Sequence, residues 1–156
     1  MEYKELLLKT AVCAITADGV IDQRETKALY HIEKNSPYFS SVDLESTLKS
    51  SLDNCMKDIK LFLDATIDSI SKENLHPIQE LTLMEMSLRI IKADGIVVEV
   101  EWEFIKKLRD VLQIDDLIIS ERFGAIDYLG IAAPEGQETF DDKLKPDNDI
   151  ETSESK

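Results

Sequence analysis

The 156-residue chain predicts an all-α fold of about seven helices. Three observations carry that expectation. Apolar residues recur at three- and four-residue spacing along most of the chain, and no useful stretch alternates with period two. Glycine and proline number only 5 and 4, too few for a turn-rich all-β fold. The length suits one domain, which at this size buries roughly two-thirds of its unfolded surface without a disulfide or structural metal.

The elements follow in order. Leu6, Leu7, Val12, Cys13 and Ile15 give a first helix from Glu2 to about Ala17. Asp22 opens a second, with Ala28, Leu29 and Ile32 on one face, and Asn35-Ser36-Pro37 stops it. Ser41 or Asp43 caps a third, carrying Leu44, Leu48, Leu52, Cys55 and Met56. A fourth follows almost without a break through Ile59, Leu61, Phe62, Leu63, Ile67 and Ile70. His76-Pro77 starts a fifth, since Pro fits the first helical position. It carries Ile78, Leu81, Leu83, Met84, Leu88, Ile90 and Ile91. A sixth runs from about Val98 to Leu112 through Trp102, Ile105 and Leu108. Asp115-Asp116 reads as a turn before a last helix, Leu117 to Leu129.

Residues 134–156 differ in kind. Eight acids face three lysines there, and only Phe140, Leu144 and Ile150 are sizeable and apolar. Such a segment cannot bury enough surface to offset its ordering entropy. The expected organisation is a helical domain at 1–133 and a disordered acidic tail at 134–156. The whole chain carries −14, which argues against nucleic acid and against anionic lipid surfaces. A basic protein surface or a metal ion is compatible with it. No apolar run approaches the roughly 18 residues of a membrane-spanning helix. Glu2 and Glu5 interrupt any signal-peptide pattern in the first ten residues. Cys13 and Cys55 sit in apolar-periodic stretches, as reduced core residues of a cytoplasmic protein would.

An internal repeat carries most of the information. Residues 17–25 read Ala-Asp-Gly-Val-Ile-Asp-Gln-Arg-Glu, and residues 93–101 read Ala-Asp-Gly-Ile-Val-Val-Glu-Val-Glu. Asp18 and Asp94 lie 76 positions apart, as do Glu25 and Glu101. Each copy joins an apolar helix to another, so two related helical hairpins in a pseudo-twofold arrangement are expected. Local structure accounts for part of the motif. Gly19 and Gly95 suit left-handed helix ends, and Asp22 with Glu25 matches a capping box. The second copy fits less well, because Val98 offers no cap oxygen. Asp18 and Asp94 also stand where a helix C-terminus disfavours a carboxylate. An Asp and a Glu seven residues apart across a turn can aim both carboxylates at one hard cation, calcium or magnesium. The spacing overlaps half of an EF-hand loop, but Ala14 and Thr16, or Ile90 and Lys92, replace its first two carboxylates. A weaker site with fewer ligands is what survives.

The paired Ala-Asp-Gly turns, the glutamates at 25 and 101, and the short element after Leu112 resemble the tellurite-resistance protein B (TerB) family. That domain also forms the N-terminal part of the membrane-anchored co-chaperone DjlA. The resemblance covers about Lys4 to Phe123. It implies a bacterial, all-helical fold with an internal pseudo-twofold and a role in stress or toxic-oxyanion resistance, without catalysis. It further implies a divalent-ion site or acidic contact surface at Asp18, Asp22, Glu25, Asp94 and Glu101, and a protein partner such as a membrane-associated stress-resistance complex. Val98, in place of the acid that Asp22 supplies, makes the second turn the poorer ion site. The acidic tail lies outside the family pattern.

Other chemistry is thinly represented. His31, His76, Cys13 and Cys55 have no zinc-ligand spacing, and no phosphate loop or nucleophile elbow is present. A hydrolase using paired carboxylates on a metal would require a pocket between the two turns. Trp102, next to Glu101, is either packing between hairpins or an anchor for a partner. The expectation is a non-enzymatic, TerB-like protein-interaction domain with weak divalent-cation binding at its turns. The alternative is a purely scaffolding or regulatory helical domain without an ion.

Overall fold

The computed structural model describes residues 2–34, 44–93 and 95–132. Among them the chain forms seven α-helices and no strand: α1 (Tyr3–Thr16), α2 (Gln23–Lys34), α3 (Leu44–Lys57), α4 (Ile59–Lys72), α5 (Pro77–Ile91), α6 (Glu99–Val111) and α7 (Asp116–Phe123). The all-α expectation holds. The stop at Asn35-Ser36-Pro37, the cap at Ser41 or Asp43, Asp94 and the acidic tail lie outside the described residues.

Two helices form the centre. In α1 every residue from Thr10 to Thr16 is buried, as are Leu6, Leu7 and Leu8. A segment buried on every side over its last two turns has no solvent face there and must be surrounded. Accordingly α1 packs against α3, α4 and α5. Its polar interruptions are satisfied within the helix: the Thr10 and Thr16 hydroxyls donate to the Leu6 and Val12 carbonyls at 2.7 and 2.8 Å. The second central helix, α5, buries Leu83 through Leu88, Ile90 and Ile91. Its start is tied off as the sequence suggested. His76 Nδ1 accepts from the Ile78 amide at 3.1 Å, and Gln79 Oε1 accepts from the His76 amide at 2.9 Å.

α1 and α5 begin side by side. Tyr3 Oη donates to the Gln79 carbonyl at 2.8 Å, and both residues lie in the first turns of their helices. The two helices pack on one another and run about 20 Å from that bond. Both Ala-Asp-Gly turns therefore leave at the far end. Beyond the turns, α2 packs chiefly across on α5, while α6 packs on α5 and α4. The duplication is thus closest in the turns and looser in the helices that follow them.

Three buried glutamates hold this arrangement, two of them on α5. Glu80 accepts from the Gln113 and Ile114 amides at 2.9 and 3.0 Å, fixing the α6–α7 connection to the start of α5. Glu85, 3% exposed, takes Arg89 Nε at 2.9 Å and the Arg122 guanidinium of α7. Glu101, in the first turn of α6, is 2% exposed. The last helix is shorter than predicted. It starts at Asp116, inside the expected turn, and ends at Phe123 because Gly124 takes φ +80°, which breaks the helical run. A 3-10 turn at Asp127–Leu129 and an isolated bridge between Ile126 and Ile131 complete the described chain.

Candidate functional site

The two turns match at the level of single hydrogen bonds. Gly19 and Gly95 both take φ +82°. The Gly19 amide donates to Thr16 O at 2.8 Å, and the Gly95 amide to Lys92 O, 76 positions on, at 3.0 Å. The next helices open alike. Glu25 and Thr26 donate to Asp22 O at 3.0 and 3.2 Å, and Glu101 and Trp102 donate to Val98 O at 3.1 and 3.2 Å. The repeated sequence therefore encodes a repeated backbone. Glycine is required at both positions because the left-handed conformation is strained for any residue with a Cβ.

The carboxylates are placed differently from the expectation of a shared exposed cluster. Asp18 is exposed, and its Oδ1 accepts from the Val20 amide at 3.0 Å, which gives it the local structural reason that helix-end rules did not supply. Asp22 caps α2 through Arg24 rather than Glu25: its Oδ1 accepts from the Arg24 amide at 2.7 Å. Its Oδ2 pairs with Arg24 Nη2 at 3.0 Å. That guanidinium holds the Asp22 carboxyl below the usual carboxylate range. Glu25 and Glu101 are buried, at 1% and 2% exposure. Glu101 Oε1 accepts from the Val98 amide at 3.0 Å, so the second turn keeps the reciprocal half of a capping box although Val98 has no side-chain acceptor. Asp94 lies outside the described residues. Among the described residues, no three His, Cys, Asp or Glu side chains gather as a metal site would require.

What the turns do present to solvent is aliphatic. Val20 is 63% exposed and its repeat equivalent Ile96 is 68% exposed. Ile21, Val98 and Val100 are exposed as well. Trp102 follows Val98 by one helical turn and stacks on Tyr128, with ring centroids 5.6 Å apart and planes 18° from parallel. Trp102 is half-buried and Tyr128 exposed. The tryptophan therefore packs on Tyr128 and keeps part of its surface in solvent.

The aliphatic residues were visible in the repeat as two β-branched positions after each Asp-Gly. Their exposure was not, because such residues read equally well as core. Cys13 and Cys55 are free and buried. Burial pushes the Cys13 thiol up to about 12, which leaves it protonated and a poor nucleophile. No helix among the described residues is long and apolar enough to cross a membrane. Comparisons with family models, with curated proteins and with solved structures find no match.

Proposed function

We propose that this chain is a non-enzymatic protein-interaction module whose receiving face is built from the two Ala-Asp-Gly turns. One observation carries the reading: Val20 and Ile96 occupy the same repeat position and both stand more than 60% exposed. A folded chain gains nothing by holding two aliphatic side chains in water at duplicated positions, and contiguous exposed apolar surface marks interaction sites. Ile21, Val98 and the Trp102–Tyr128 pair extend the face, and aromatic residues at its margin suit an interface anchor. Exposed acids, Asp18, Glu99 and Glu103, rim it and favour a basic partner surface. The resemblance to TerB domains would place that partner in a stress-resistance assembly.

An apolar contact face accounts for the turns better than an ion site. Asp22 is neutralised by Arg24, and Glu101 serves the Val98 amide. The test is photo-crosslinking in cells from a reactive residue at position 20, 96 or 2. Position 2 lies at the opposite end of α1. Positions 20 and 96 should label the same protein, and Ile96→Asp should abolish labelling from position 20. Labelling no stronger than from position 2 would sink the reading.

A further inference from the structure

A second surface, independent of the turn face, lies where α3 meets α4. Lys57 ends α3, Ile59 begins α4, and Asp58 between them is the only connecting residue. With no loop to fill the corner, a groove of about 420 Å³ opens between this junction and α1. That volume falls in the range of small-molecule sites, roughly 300–1,000 Å³. Its lining is mainly apolar, from Leu61, Phe62 and Ala65. Leu61 stands 66% exposed at its edge. Thr66 in the floor adds no free donor, since its hydroxyl is spent on the Phe62 carbonyl at 2.9 Å.

The charge at this groove is opposite to that of the chain. Lys9 of α1 and Lys57 reach it from two sides, and neither makes an ion pair among the described residues. Other lysines nearby are engaged: Lys60 pairs with Asp64 at 2.9 Å and Lys72 with Asp68 at 2.8 Å. Asp58 is the only acid among the described lining residues. Its Oδ1 accepts from the Leu61 amide at 3.1 Å at the α4 N-terminus, where the helix dipole offsets part of its charge. Two uncommitted ammonium groups over an apolar cleft, in a chain of −14, select a ligand with a negative head and an apolar body.

We infer that the α1–α3–α4 groove is a binding site for a small anionic amphiphile of the fatty-acid type, with its carboxylate between Lys9 and Lys57 and its chain along Leu61, Phe62 and Ala65. The test is amide NMR of the full ¹⁵N-labelled chain titrated with decanoate, and with decanol as the same body without charge. Decanoate should shift the Asn54, Ala65 and Ser69 amides saturably and bind roughly fivefold or more tighter than decanol, as two partly exposed ion pairs allow. The double variant Lys9→Gln/Lys57→Gln should bring decanoate down to the affinity of decanol and leave decanol unchanged. Ala65→Trp, which fills an exposed position in the groove, should remove both. The inference fails if those three amides move no more than the rest, if decanol matches decanoate, or if the double glutamine variant binds decanoate as the parent does.

Discussion

Glycine at positions 19 and 95 has a backbone role and no packing role. A Cβ built at either would meet nothing within 4 Å, so the only penalty of a side chain is the left-handed backbone. Gly19→Ala and Gly95→Ala should each destabilise by about 1 kcal/mol, and equally, as urea unfolding would read. Unequal losses of more than about 1 kcal/mol would mean that the two turns are not equivalent. At the same scale, the acids of the motif were legible as residues, while their local partners were not. Asp18 and Asp22 lie within two residues of the amides they cap, so local geometry claims them first. Burial of Glu25 and Glu101 could not be read from a first-turn position, where glutamate is ordinarily solvated.

Helices were the most legible elements, because a period of three to four residues survives any tertiary arrangement. Their ends were less so. The capping residues at His76 and Asp22 marked two starts correctly, whereas the last helix stops six residues before its predicted end. Ile126 and Leu129 continue the apolar spacing past Phe123, but Gly124 has already turned the chain, and a 3-10 turn buries Ile126 and Ile131 instead. Glu80 and Glu85 were also hidden. On a helix read as core they break the pattern, and only the partners brought by α6 and α7 explain them. Glu85→Ala should destabilise by about 3 kcal/mol, because it breaks a buried ion pair with Arg89, whose side chain is only 9% exposed. Arg122→Ala should cost less, since its side chain is 39% exposed and Glu85 keeps Arg89. Thermal unfolding of the two variants separates these outcomes, and equal losses would contradict the account.

For the molecule as a whole, the packing of α1 on α5 decides where the turns go. The Tyr3–Gln79 bond joins helix starts and so sends both turns to one end of the α1–α5 pair. With Asp18, Asp22 and Glu101 tied to local partners, calcium or magnesium at millimolar concentration should leave the Gly19 and Gly95 amide resonances unmoved. A saturable shift at both would return the ion to the site and overturn the apolar reading. The α3–α4 groove has no counterpart in the repeat. It arises because two helices abut across one residue, a consequence of chain path rather than of any motif.

Periodicity, glycine placement and the 76-residue repeat determined by sequence alone that this chain is helical and that two of its turns share a conformation. Those properties depend on residues within one or two helical turns of each other, and local sterics and hydrogen bonding fix them. Which β-branched residues face water, which glutamates are buried and where lysines meet an apolar corner were settled only by packing. Each of these depends on contacts between residues tens of positions apart, and one sequence carries no separate mark for them.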